Sequence, residues 1–288
     1  MKKKAAILLL VLFIIVGSGM ILYPAISNIM REHQKDEILT EYDNSVSKQD
    51  DTVLKNAMEA AQRYNESLLN QVVLTDPFDD DSIKDLDSQY SNLLNINGDG
   101  IMGYVDIPRI NVYEPIYHGT SDTVLTKGTG HLLHTSLPVG GESTHAVISG
   151  HTGLQDAEIF TNLTELDNGD IFYIHVLGNV LAYQVDQISV VEPDDVSKLY
   201  IENGKDYVTL VTCTPYGVNS NRLLVRGTRI PYTQAVQKIS DDQKDEGVSH
   251  YNWTETYVKS IIEGVLLALA IFILIKIVIK LVKIVRRR

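Results

Sequence analysis

The chain has 288 residues, a net charge of −12 and a single cysteine. That acidity argues against a nucleic-acid partner and against a surface that hugs anionic lipid, because both attract basic faces. One cysteine excludes an intramolecular disulfide, and the length allows one sizeable domain with extensions at its ends.

In chain order, Lys2-Lys-Lys4 precedes Ala5–Tyr23, which carries no charge and is long enough for a bilayer core. Gly17-Ser-Gly19 offers the small residues of a cleavage site, but the length favours a retained anchor over a cleaved signal peptide. Residues 1–27 are therefore expected to be an N-terminal membrane anchor or signal segment. From Pro24 to Gln71 apolar positions such as Ile38, Leu39, Val46, Val53, Leu54, Ala57 and Ala60 recur among polar residues at helical spacing. Asp50-Asp51 marks a fresh helix start, which predicts two helices. Thr75-Asp-Pro-Phe-Asp-Asp-Asp81 interrupts this pattern, since proline cannot continue a helix, and a further short helix is expected within Ser82–Leu94. Together these form a helical extension over 28–100. Near its end, Asn95-x-Asn97-x-Asp99-Gly100 imitates a calcium loop. Its twelfth position is Asp106 rather than Glu and already reads as strand, so a turn is expected there.

From Gly103 the texture becomes β. Gly103–Val112, Glu114–Tyr117, His145–Ser149, Asp170–Val176, Val180–Val185, Tyr207–Thr212 and Leu223–Ile230 are short apolar runs separated by Gly, Asn, Asp or Pro. This spacing predicts a mainly β domain, a closed or nearly closed barrel or a sandwich, over 101–232. Small helices are expected in the connections at Ile159–Leu166 and Asp194–Tyr200. Residues 233–256 are polar and charged, as in a linker or helical leash. Residues 257–288 hold a second apolar stretch, Ile261–Leu281, with Glu263 near one end, Lys276 and Lys280 near the other, and Lys283 and Arg286-Arg-Arg288 beyond it. Lysines near one membrane face can snorkel, so a C-terminal transmembrane helix is expected, with an amphipathic interfacial helix as the alternative. Basic flanks at both ends place both termini in the cytoplasm and the middle of the chain outside. With three positive charges in the first four residues and a net six in 257–288, the chain total leaves −21 over residues 5–256.

The chemistry centres on Cys213, at the end of Thr209-Leu-Val-Thr-Cys213, with Arg222 opening the next apolar run. An arginine across a hairpin mouth from a thiol favours the thiolate and can donate to a developing oxyanion. The competing reading is a buried structural thiol. A nucleophilic cysteine needs an acid/base partner, and among eight histidines His151 stands out in Ser149-Gly-His-Thr-Gly153, at a strand end between glycines. His145 is expected on a core face, with His118, His131 and His134 in loops. A zinc site from His131, His134, His145 and His151 with Glu142 needs convergence that the intervening Leu-Pro-Val-Gly-Gly loop disfavours. No metal or cofactor is expected.

These residues resemble the sortases, membrane-anchored cysteine transpeptidases of Gram-positive surfaces. The resemblance lies in the Thr-Leu-Val-Thr-Cys213 strand, Arg222 nine residues on, and the Ser-Gly-His151 loop. Gly103-Tyr-Val-Asp-Ile-Pro-Arg-Ile110, Glu114-Pro-Ile-Tyr-His-Gly-Thr120 and His131–Gly141 extend it, in order, over about residues 76–232. Two features resemble the pilus-building class C subgroup: the second membrane segment, and Asp76-Pro77-Phe78, which matches its lid motif (about 75–81). The resemblance implies a sortase β-barrel and Cys213 as nucleophile on the Thr–Gly bond of a Leu-Pro-x-Thr-Gly-like sorting signal. It further implies His151 as acid/base, Arg222 as oxyanion and substrate stabiliser, and a pilin lysine as acceptor. Asp76 would reach Arg222, and Phe78 would cover Cys213. A housekeeping cell-wall-anchoring sortase, a hydrolytic cysteine peptidase using the same residues, and a non-enzymatic tethered adhesin are the alternatives.

Overall fold

The computed structural model describes residues 2–68, 74–79, 88–154, 157–246 and 259–266. The chain divides into two units, residues 1–30 with 251–288, and residues 31–250. The first contains the start of helix α1 (Lys2–Ser47) and the helical residues 259–266. Of the expected C-terminal span the rest, 257–258 and 267–288, lies outside the described residues, and among the described residues no helix is long and apolar enough to cross a membrane.

The second unit is built on a closed eight-stranded barrel in the order β1-β2-β3-β4-β7-β8-β6-β5. The strands are β1 (Ile101–Ile107), β2 (Val112–His118), β3 (Thr129–His131), β4 (Thr144–Ser149), β5 (Ile171–Val176), β6 (Asn179–Val191), β7 (Asp206–Thr214) and β8 (Asn221–Ile230). Two-residue alternation sorts the side chains. Ala146 and Ile148, Phe172 and Ile174, Val208 and Leu210, and Leu223 and Val225 join the barrel core. Their neighbours Val147, Val211 and Leu224 pack in a separate cluster on the outer face. Cys213 and Arg222 follow the outward parity of Val211 and Leu224. β4 and β7 run parallel and in step, from Thr144 opposite Asp206 to Ser149 opposite Val211.

The helical extension forms two helices in the expected places, α1 and α2 (Asp51–Ser67), with Asp50 at the break. Tyr42 holds α1 to the barrel, donating to the Met102 carbonyl (3.0 Å) and accepting from the Leu177 amide (3.0 Å). Of the short helix expected within Ser82–Leu94, residues 82–87 lie outside the described residues, and α3 (Ser88–Asn92) is the described part. The Asn95–Gly100 segment is a turn whose polar groups serve its own backbone: Asn95 Oδ1 accepts from Gly100 N (2.9 Å) and Asp99 Oδ1 from Ile101 N (3.0 Å). β3 and helix α4 (Asp122–Leu125) before it were not legible in the sequence pattern. The connections at 159–166 and 194–200 form 3₁₀ turns at Thr161–Glu165 and Ser197–Leu199. Residues 232–246 depart from a plain linker. They form α5 (Tyr232–Glu246), whose Ala235 is fully buried against Ile171, Tyr173, Ala182 and Ile230. An apolar residue on an otherwise polar run is enough to seat a helix on a barrel wall.

Candidate active site

The parallel β4–β7 pair collects the site. Two residues beyond its last paired position lie His151 on one side and Cys213 on the other. Antiparallel pairing of β7 with β8 then sets Cys213 directly opposite Arg222. Arg222 is 9% exposed, while Cys213 and His151 are half-buried.

The segment Asp76-Pro77-Phe78, with Asp76 146 residues from Arg222 in sequence, packs against Arg222 and His151. The Asp76 carboxylate takes a two-pronged contact from the guanidinium, Nε to Oδ1 at 2.9 Å and Nη2 to Oδ2 at 2.5 Å. Arg222 Nη1 is also engaged, donating to the Asn219 and Asn221 carbonyls (both 3.2 Å). The Phe78 ring lies 5.9 Å from the His151 ring and 5.0 Å from the Arg222 guanidinium carbon. Leu74, 7% exposed, anchors the same segment in the outer-face cluster of Leu132, Val147, Val191, Leu199, Val211 and Leu224. The segment is also a turn, as Asp-Pro alone suggests: Asp79 N donates to Asp76 O (3.1 Å), and Pro77 is buried. Residues 80–81 of the expected lid lie outside the described residues.

Electrostatics favour an uncharged resting pair. Burial pushes the Cys213 thiol above its ordinary value; the Arg222 charge opposes this and the Asp76 charge adds to it. Burial lowers the His151 imidazole, opposed by the Asp122 carboxylate. On Arg222 itself burial acts downward, but the Asp76 hydrogen bond and the charges of Cys213 and Asp76 outweigh it and raise the pKa. With the segment in place, burial and the Asp76 charge favour the neutral thiol, and burial favours the neutral imidazole.

His118, His131 and His145 are buried structural residues. His145, on β4, is 1% exposed and places its nitrogens on the Tyr200 carbonyl (2.9 Å) and the Thr209 hydroxyl (2.7 Å). His118 and His131 do not sit in open loops; they end β2 and β3 as buried residues. His131 meets the Tyr90 hydroxyl (2.9 Å) and the Ser136 carbonyl (2.8 Å). Among the described residues no group of three or more His, Cys, Asp or Glu converges as a metal site. A cavity lined by Gln62, Asn65, Glu66, Glu142 and Thr144 lies at the other end of β4 from His151, away from the thiol.

An eight-stranded barrel with a thiol, an imidazole and an arginine gathered at the ends of neighbouring strands defines a cysteine-dependent enzyme. Residues 105–230 match the Sortase domain family. The crystal structure of Streptococcus pneumoniae sortase C, described for its catalysis and pilin substrate specificity, is 49% identical; the match covers 68% of this chain and 97% of that one, with a TM-score of 0.64. Streptococcus agalactiae sortase C1 in complex with MTSET is 46% identical over 67% of this chain and 97% of that one, with a TM-score of 0.63. Bacillus subtilis sortase D is 30% identical over 131 residues, and the match spans 44% of this chain and 63% of that relative. The chain belongs to the sortase family of cysteine transpeptidases, and its solved neighbours are class C sortases.

Proposed function

We propose that this protein is a pilus-assembling sortase. It cleaves a Leu-Pro-x-Thr-Gly-like sorting signal between Thr and Gly and joins the threonine to a lysine amine of the next pilin. The observation that carries this reading is the pairing of Cys213 with Arg222 under a segment whose Asp76 occupies that arginine.

In the proposed mechanism the Cys213 sulfur, its proton passed to His151, attacks the threonine carbonyl carbon. Arg222 stabilises the tetrahedral oxyanion. The C–N bond breaks as His151 returns the proton to the glycine amine, leaving a thioester on Cys213. The lysine amine then attacks the thioester carbonyl, gives its proton to His151, and forms an isopeptide bond as the C–S bond breaks. With Asp76 bound, a carboxylate occupies the Nε/Nη2 edge of Arg222 and its negative charge opposes an oxyanion there, so the segment must leave before chemistry. A substrate opens it only to the extent that it binds the open state better.

The proposal also assigns two membrane segments near the termini, both termini in the cytoplasm and the catalytic barrel outside the cell, on the charge asymmetry of the flanks. Incubating the full-length protein with a Leu-Pro-x-Thr-Gly peptide, with and without a lysine-bearing pilin, tests the acceptor. A cross-linked product supports transpeptidation onto pilin. Hydrolysed peptide alone, in the presence of pilin, selects the peptidase reading; in a parallel arm with a cell-wall peptide amine, transfer to that amine and not to pilin selects the anchoring one.

A further inference from the structure

We infer that Thr212 is a positioning residue of the reaction: its buried hydroxyl ties the strand bearing the thiol to the loop bearing the imidazole. The backbone ladder of the parallel β4–β7 pair ends at Ser149 and Val211. Immediately past it stand Gly150 and Thr212, each one residue before a reacting side chain. Two hydrogen bonds cross at this point. Gly150 N donates to Val211 O (3.0 Å), and Thr212 Oγ1 donates to Gly150 O (2.7 Å). Beyond them neither His151 nor Cys213 has a ladder partner on the other strand, so the Thr212 bond is the last one holding the two strand ends in step.

The hydroxyl sits where it can fix geometry. Thr212 is 1% exposed, and its parity on β7 matches the inward Val208 and Leu210 rather than Cys213. It thus acts through its neighbours and stays clear of substrate. The other face of the loop is closed as well. A Cβ on Gly150 would lie 2.7 Å from Phe160 Cδ2 and 2.9 Å from Ile159 Cγ2, and Phe160 N donates to the His151 carbonyl (3.1 Å). The loop is clamped between Phe160 on one side and Thr212 on the other. Thr209, three residues earlier on β7 and of outward parity, pairs its hydroxyl with the buried His145; the hydroxyl of Thr212 serves the loop bearing His151.

This inference rests on the reading that Cys213 and His151 act together. The test compares Thr212→Val, which keeps shape and strand preference but loses the hydroxyl, with Thr212→Ser, which keeps the hydroxyl. Both are made in full-length Asp76→Ala protein, so that lid opening does not limit the rate. With a Leu-Pro-x-Thr-Gly peptide and an amine acceptor, Thr212→Val lowers kcat about 10–100-fold, the cost of a misplacement of about 1 Å between reacting groups. KM stays within about twofold, as expected when ground-state binding is untouched. Thr212→Ser recovers kcat to within about threefold of the parent. Parental kcat in Thr212→Val overturns the inference, as does a serine variant as slow as the valine one, or a loss explained by the unfolded fraction in a melting curve. If the parent itself leaves the peptide intact, the functional reading fails, and the pH dependence of Cys213 alkylation decides the strut. A midpoint displaced in Thr212→Val and restored in Thr212→Ser supports it; an unmoved midpoint overturns it.

Discussion

Removing the Asp76 carboxylate is the sharpest perturbation of the closed site. Asp76 and Arg222 are only 14% and 11% exposed in their side chains, and they meet through two charge-assisted contacts. Each such contact contributes about 1.5–3 kcal/mol, and desolvation of the pair returns a large part of the sum. A net of about 2 kcal/mol in favour of the closed segment is the working value. Asp76→Ala then shifts the open-to-closed ratio about 30-fold, because each 1.4 kcal/mol is a factor of ten. The same change removes a negative charge that, after burial, holds the Cys213 thiol up, so the thiol titrates at lower pH as well. The assay is the rate of Cys213 alkylation by iodoacetamide across pH 6–9.5. The reagent is neutral, so the rate reports access and ionisation rather than charge steering. At pH 7 the variant reacts at least tenfold faster than the wild type, with its midpoint moved downward. A rate within twofold of wild type and an unmoved midpoint would refute the reasoning and reduce the segment to a surface turn.

Leu74→Ala removes the other anchor of the segment, a side chain clustered with six other buried apolar residues on the barrel's outer face. It is expected to raise the same alkylation rate about tenfold with a smaller downward move of the thiol midpoint than Asp76→Ala, because the carboxylate stays on the chain, which separates packing from charge. Gly150→Ala brings a methyl against Phe160 and Ile159. It is expected to cost about 1–3 kcal/mol in chemical denaturation and to depress peptide turnover more than binding. Asp106 provides a pH test of stability away from the site. Burial raises its carboxyl to about 6, above its unfolded value, so the stability cost of ionising it builds as pH rises from about 4 and is complete above about 6. Asp106→Asn should therefore gain about 1–2 kcal/mol at pH 7.5, a figure discounted for partial exposure, and lose that advantage by about pH 4 in thermal melts.

How far the sequence reached follows from the range of each interaction. The long strands were readable because inward and outward residues alternate, and the break at Asp50 because helix starts are local. β3 was not, since Thr129–His131 is too short to alternate and exists only through its pairing with β2 and β4. His118 and His131 looked like loop residues because their burial depends on Tyr90, 28 and 41 positions away, which packs edge-on against the first ring and tilted against the second. Cys213 and Arg222 were legible as a hairpin pair. The contact of Asp76 with Arg222 spans 146 positions, and nothing local signals it; only the resemblance to a lid motif did. The Thr212–Gly150 bond was equally invisible, because a threonine in a strand already has an adequate explanation in its β preference.

The proposed reaction runs through Cys213 as the nucleophile of an acyl transfer. It is tested most directly by intact-protein mass spectrometry of the full-length Asp76→Ala protein after brief exposure to a Leu-Pro-x-Thr-Gly peptide without an amine acceptor. The expected product is an adduct equal to the peptide up to threonine, mapped to Cys213, discharged by hydroxylamine and absent from the Cys213→Ala protein. Peptide cleavage that persists in Cys213→Ala, or an adduct that maps to any other residue, would contradict it.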